Sequence, residues 1–380
     1  MSEASGLQLI GHAPLSGAGD LMQVDVVGDT VFVGHTGNTR FGTTILDVGD
    51  PRDPKVITQI ERPPGTHTHK VQVDGDIMIV NHEQNPAEDE APEWSAGVEI
   101  IDVSKLEVPR RIGFFPTWGE GVHRMSFGDG PYVFASSTAE GYIGRNLYVI
   151  DISDPTKPLE AGRWWLPGSH TAGGEQPDWD ETEREYAMHH ALVRGERAYV
   201  SWWDAGMVIL DTSDVTNPQM ISHLKLDPSE SACTHTALPL PERELLVLVD
   251  ESTEDECQEV QKQVRVLDIS DEVNPVVKSR FPVPEGDFCH RGGRFGPHNV
   301  HENRVGRMVD LNTIYLTYFN AGLRIVDISD PVYPTEIAYF VPDSPPGQEA
   351  IQLNDLVVNE DGIIFATDRV SGGLYVFERT

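Results

Sequence analysis

The segment 199–211, YVSWWDAGMVILD, returns almost intact at 315–327 as YLTYFNAGLRIVD, and each copy runs on into an Asp-x-Ser-Asp turn. The end of this unit occurs six times, as TTILDVGDPRDP (43–54), VEIIDVSKLEVP (98–109), LYVIDISDPTKP (147–158), MVILDTSDVTNP (207–218), VRVLDISDEVNP (264–275) and LRIVDISDPVYP (323–334). A chain built this way stacks like units side by side, and a spacing of roughly 50–60 residues is too long for a leucine-rich or single-helix solenoid. Each copy holds a β-branched run, an Asp/Ser/Pro turn and a second strand. Two further short strands precede it, joined by a Gly/Asp turn such as VDGD (73–76), VRGE (193–196) or NEDG (359–362). Four short strands per unit make a propeller blade.

The ends of the chain complete the count. LQLIGHAPL (7–15) reads as a lone outer strand, and GLYVFE (373–378) as a third strand with no fourth after it. Pairing the two closes the ring without a free edge. The expected fold is therefore all-β: a seven-bladed β-propeller of four-stranded antiparallel blades, closed by the N-terminal strand, with residues 1–380 as one domain. Inner strands begin near Met22, His69, His123, His189, His235, His298 and Asn354. Long connections precede inner strands (62–68, 166–188, 282–297) or follow middle ones (84–96, 252–262), so they decorate one face and leave the other plain. The acidic segment 166–188 is expected to lie over the decorated face as a lid.

Charge and leader signals narrow the partners. A net charge of −33 disfavours nucleic acid and anionic membranes. Cys233, Cys257 and Cys289 stand at unrelated spacings and are expected to form neither a CxxC pair nor a disulfide framework. The N-terminus lacks a basic segment followed by an apolar one, and no apolar run reaches about 18 residues, so a soluble cytoplasmic protein is expected.

Five of the fourteen histidines stand at or beside the first residue of an inner strand: His69, His123, His189 or His190, His235 and His298. Inner strands crowd the central axis, so these imidazoles converge and can hold a metal. Counting back from the turn glycine leaves both His189 and His190 open as the axial member. His67 and His301 lie one step from the column; His35 and His82 read as rim residues, and His12, His170, His223 and His290 as structural or exposed. Gln23, Asn354 and Asp355 occupy the column on the remaining blades. A column of imidazoles suits iron, manganese, zinc or copper better than calcium or magnesium. Middle strands end on the same face, placing Glu83, Asp204, Asp250, Glu251 and Asp368 near such a metal. Of these, Glu83, Asp204 and Asp250 are the candidate proton carriers. Trp202, Trp203, Tyr318 and Phe319 either wall a pocket or pack blades. The repeat aspartates, from Asp47 to Asp327, read as turn residues on the opposite face.

The ILDVGD, VIDISDP, VLDISDE and IVDISDP segments resemble those of the LVIVD-repeat proteins, a family of β-propellers, and the resemblance implies the same architecture over nearly the whole chain. In layout the axial histidines are also similar to those of the carotenoid cleavage oxygenases and the selenium-binding methanethiol oxidases, which implies redox chemistry. The leading expectation is a metal-dependent enzyme acting on a small organic substrate by an oxygenase or oxidase reaction, favoured because the column is all imidazole. The second is a zinc-type hydrolase of an ester, lactone or amide. A third, a propeller that only binds a protein partner, expects histidines scattered over the surface.

Overall fold

A computed structural model describes residues 2–88, 94–128, 130–180, 185–227, 229 and 233–380. Seven antiparallel sheets follow one another round a ring. Blade 1 spans residues 21–61, blade 2 66–116, blade 3 122–164, blade 4 188–224, blade 5 234–280, blade 6 298–341 and blade 7 353–379. Leu7–Ala13 pairs with Gly373–Arg379 as the outer strand of blade 7, as the sequence implied. The chain just before it adds a latch: Glu3–Ser5 pairs with the outer strand of blade 6, and Gly6, at φ 66°, turns between the two blades.

Middle strands are sandwiched between neighbouring blades, which is why their apolar residues are buried on both faces. Leu245–Asp250 is buried throughout, and Trp202 is fully covered, edge-on to Trp164 at 5.4 Å. Each such aliphatic side chain contributes roughly 1.5–3 kcal/mol by leaving water. The repeat aspartates act in turns. Asp47, Asp102, Asp151, Asp211, Asp268 and Asp327 each accept the backbone N–H two residues on, at 2.7–2.9 Å.

Three expectations change. The inner segment of blade 6, HNVHENRV, is not a regular strand: only Val300 bridges Leu316. Beyond it Asn303 takes a positive φ, and Arg304 and Arg307 turn inward to Asp25, so the chain leaves the ladder to plug the axis at the plain face. The cysteines do pair: Cys257 and Cys289 form a disulfide across 32 residues, because loops 252–262 and 282–297 meet on the decorated face. Proximity of those loops is a product of the ring and has no local spacing signal. The lid segment packs sideways. Ser169 O accepts Ile143 N–H, Ala172 N–H bonds Gly141 O, and Trp179 stacks on Tyr186 at 4.5 Å. Residues 181–184 of that segment, and 89–93 of the blade 2 loop, lie outside the described residues.

Candidate metal centre

The inner strands share a defect that builds the site. In blade 3 Val122 and Arg124 face Ser137 and Ser136; in blade 4 Met188 and His190 face Trp202 and Ser201. In blade 5 Thr234 and Thr236 face Asp250 and Val249, and in blade 7 Leu353 and Asp355 face Asp368 and Thr367. One residue is skipped each time: His123, His189, His235 and Asn354. A β-bulge expels that residue from the ladder and re-aims its side chain. In blade 2, where His67 faces Glu83 and Val71 faces Val80, the extra residue falls at His69.

The result is an arc of imidazoles. Ring centroids are 5.3 Å apart from His69 to His123, 5.0 Å from His123 to His189, 3.9 Å from His189 to His235 and 4.3 Å from His235 to His298. His67 stacks on His69 at 3.9 Å. The choice between His189 and His190 is resolved by position: His189 stands in the arc, while His190 lies one layer down, its Nε2 3.6 Å from Glu302.

The bulge also fixes tautomers. His189 Nδ1 donates to His235 O at 2.7 Å and His298 Nδ1 to Asn354 O at 2.6 Å, leaving each Nε2 with its lone pair. The same carbonyls accept Ser201 and Thr317 hydroxyls, at 2.5 and 2.9 Å. Related bonds run from Asn81 to Val122 O, Ser136 to Met188 O and Thr367 to Met22 O, so each ties a middle strand to the next blade's bulge. Nε2 of His69 and of His235 is buried without a hydrogen-bond partner. Burial holds His69, His123, His189 and His235 well below the usual imidazole range, and His67 and His298 at about 4. All are neutral near pH 7, the form that ligates metals.

Two glutamates join the arc. Glu83 Oε1 is 2.8 Å from His123 Nδ1, and its Oε2 is 3.6 and 3.7 Å from His67 Nδ1 and His69 Nε2. Glu251 Oε1 is 3.4 Å from His298 Nε2 and 3.2 Å from Arg294, and its Oε2 is 3.9 Å from His235 Nε2. Ligand atoms of His67, His69 and Glu83, and likewise of His189, His235 and Glu251, lie within 4.8 Å of one another. Orphaned, neutral imidazole nitrogens beside a carboxylate fit zinc or a first-row transition metal. Burial pushes the Glu83 carboxyl up, against the pull of His67 and Arg145. Burial acts on Glu251 too, but its histidine neighbours and Arg294, 3.2 Å away, outweigh it and hold that carboxyl well below its usual range.

The other two candidate proton carriers are placed elsewhere. Asp250 is buried inside blade 5, accepting Arg265 Nη1 at 2.9 Å and Gln263 N–H at 3.1 Å. Asp204 accepts Glu185 N–H and Cys233 N–H, joining loops. Each misses the rim by one residue. Two positions beyond Asn81, Ser136, Ser201, Val249, Thr317 and Thr367 stand Glu83, Thr138, Trp203, Glu251, Phe319 and Arg369. These residues ring the column's open end. Trp203 lies 6.2 Å from both His123 and His189, and Phe319 4.8 Å from His298. The hydroxyl that recurs in blades 3, 4, 6 and 7 was the signal that would have aligned those middle strands and singled out Arg369.

Among the remaining histidines, His35 bonds Asp20 and Thr44, and His82 bonds Ser95 O and Glu99. His301 is pinned between Met308 O and Val358 N–H. Solvent reaches the arc on one side. Glu83, His123 and His67 side chains are 15, 19 and 21% exposed, against 1 and 0% for His69 and His235.

Known structures share the ring. A periplasmic gluconolactonase from Pseudomonas aeruginosa superposes with a TM-score of 0.61 at 11% identity, over 93% of this chain and 94% of that one. A putative 6-phosphogluconolactonase from Bacteroides fragilis gives 0.57 at 14%, over 94% and 93%. A hypothetical selenium-binding protein from Sulfolobus tokodaii gives 0.59 at 15%, over 97% and 94%. At these identities the likeness is one of fold. No curated protein matches the sequence. The LVIVD repeat model matches residues 141–164, 191–225 and 312–340, in blades 3, 4 and 6. With seven blades closed in a ring, the chain is an LVIVD-repeat β-propeller protein.

Proposed function

We propose that the imidazole arc holds zinc or a first-row transition metal and that the protein hydrolyses a small ester or lactone on the decorated face. The observation that carries this reading is the pair of buried, partnerless Nε2 atoms on His69 and His235, each beside a glutamate. The oxidative expectation rested on an all-imidazole column, and Glu83 and Glu251 among the rings remove that ground. Solved propellers of similar fold bear lactonase names, which agrees with the hydrolytic choice.

A bound metal would polarise a carbonyl and supply a hydroxide-like water near neutral pH. The chain's own residues divide the proton work. Glu83 is raised by burial and partly exposed, so it is poised to take a proton from water at the open edge of the arc and return it to a leaving oxygen. Glu251 is kept ionised beside the Arg294 guanidinium and supplies fixed negative charge. Two carboxylates driven apart in proton affinity make an acid/base assignment. Trp203 and Phe319 wall the mouth, and the Asp25 ion pairs close the far end, so substrate enters from the decorated face.

The disulfide favours an oxidising compartment over the cytoplasm expected from the N-terminus. Among the described residues no helix is long and apolar enough to cross a membrane.

Elemental analysis tests the reading. Protein purified without added metal should carry about one ion per chain, and a His69→Ala, His235→Ala double variant should carry none while remaining folded. A wild type free of metal, or equal metal in both proteins, would sink it. With metal present, failure to open any of a panel of lactones and esters would return the choice to oxidation.

A further inference from the structure

We infer that Arg369 and Arg294 form an anion-binding subsite at the rim of the histidine arc, and that the substrate is a small carboxylate. This rests on the hydrolytic reading of the same site and names its substrate class.

Arg369 occupies in blade 7 the rim position that Glu83 and Glu251 take in blades 2 and 5, one residue beyond the Leu353–Asp368 pair. Its neighbour Asp368 does not neutralise it, because that carboxylate is spent on the backbone N–H groups of Gln352, Val370, Ser371 and Gly372. Arg369 Nη1 is buried with no hydrogen-bond partner, and the guanidinium has no ion pair among the described residues. The chain has 61 acidic residues against 28 basic ones, so a partnerless arginine is not explained by a shortage of carboxylates. A second guanidinium shares its aromatic neighbour: Arg294 and Arg369 lie 5.6 and 5.8 Å from the centroid of Phe319. Burial and the charge of Arg294 pull Arg369 down to about 10. Arg294 is held in place. It bonds Glu251 and Ser252 O and bridges Asp255, and the Cys257–Cys289 disulfide fastens the two loops concerned. Preorganised guanidinium groups favour a planar carboxylate, which they can grip with two parallel bonds. Blade 7 offers Asn354 in place of an imidazole, its Oδ1 also buried without a partner, so the subsite borders the arc where no histidine stands.

The test pairs binding with turnover. Calorimetric titration of wild-type protein with hydroxyglutarate, the ring-opened form of butyrolactone carboxylate, should show binding with and without added zinc. Arg369→Met should weaken it roughly 10- to 100-fold, and Arg369→Lys should fall between, with circular dichroism confirming that both variants fold. Wild-type kcat/KM should favour butyrolactone carboxylate over butyrolactone, and the preference should collapse in Arg369→Met. No binding by wild type, equal binding by Arg369→Met, or tighter binding of inorganic phosphate than of hydroxyglutarate would each overturn the carboxylate subsite. Binding that depends on Arg369 while neither lactone is opened would keep the subsite and discard the hydrolase. Hydrolysis of butyrolactone with Arg369-independent binding would do the reverse.

Discussion

At the plain end of the axis Asp25 accepts Arg304, two nitrogens of Arg307 and the N–H of Val73. Just above, Arg124 bonds Asn299 and Glu302, and Glu302 also takes Gln72. At the decorated end His69, His235, Asn354 and Arg369 each keep a buried polar atom without a partner. Both ends are built on the same inner strands, and the atoms compared are buried at each. A buried polar atom costs free energy unless it is hydrogen-bonded. Apart from Arg124 Nε, the paired end is therefore satisfied as folded, and the unpaired end is completed by something the chain does not supply. The boundary falls at His190, whose two ring nitrogens are both unpartnered beside the paired Glu302.

The largest effect should come from breaking the paired end. Asp25→Ala leaves Arg304 and Arg307 buried without their carboxylate and should destabilise the protein by about 3–5 kcal/mol, read by urea unfolding, with metal content unchanged. His235→Ala loses one bond, from Nδ1 to Thr236, and its packing against His189 and His298, but strands no charge, so it should cost the metal-free protein clearly less than Asp25→Ala does. If His235→Ala costs the metal-free fold as much as Asp25→Ala does, the arc is a structural core and the contrast fails.

Acid should separate the two ends next. His301, at the plain end, donates Nε2–H to Met308 O and accepts Val358 N–H at Nδ1, so only its neutral form fits. Burial lowers it from 6.5 to about 4. Between those values the unfolded chain binds the extra proton, so stability is complete above pH 6.5, falls as pH drops to about 4 and levels off below. The group's share is on the order of 3 kcal/mol. His301→Gln should flatten the stability-against-pH slope by one proton. Metal should shield the arc's histidines from acid but leave the His301 contribution untouched; a slope that metal abolishes altogether would show His301 is not titrating.

The architecture was legible because it repeats: six near-copies of one turn set the blade count, and the orphan strand at 7–15 set the closure. Columns were legible for the same reason, and the five histidines share one position. Of the three carboxylates singled out only Glu83 stands in the arc, because middle-strand ends carry two acidic or polar residues in a row and neighbouring side chains point to opposite faces. In DE at 250–251 the register decides which residue reaches the arc, and only the pairing of Asp250 with Thr234 reveals it. The Asp25 plug and the Cys257–Cys289 bond join residues hundreds or tens of positions apart, with no periodic trace.

At the open end Glu83→Gln keeps an acceptor for His123 but removes the charge, and should weaken metal binding roughly 10- to 100-fold, measured by competition with a chelator. An unchanged affinity would assign Glu83 to the wall of the pocket alone.

The smallest effects test the fasteners that position both ends. Thr367 donates to Met22 O at 2.6 Å, a carbonyl that also takes Asn354 Nδ2 but no histidine. Thr317 donates to Asn354 O at 2.9 Å, the same carbonyl that holds His298 Nδ1. Replacing either by valine keeps the shape and deletes both the bond the hydroxyl donates and the one it accepts, from Asp355 N–H at Thr367 and Asn299 N–H at Thr317, about 1–3 kcal/mol in each case. Thr367→Val should stop there. Thr317→Val loosens the carbonyl that orients His298, so it should lower metal affinity as well as stability, and the difference between the two variants isolates how far the blade-to-blade bond serves the arc rather than the ring. Equal metal affinity in the two would mean that His298 is held by its neighbours without help from the fastener, leaving the hydroxyl column to join blades and nothing more.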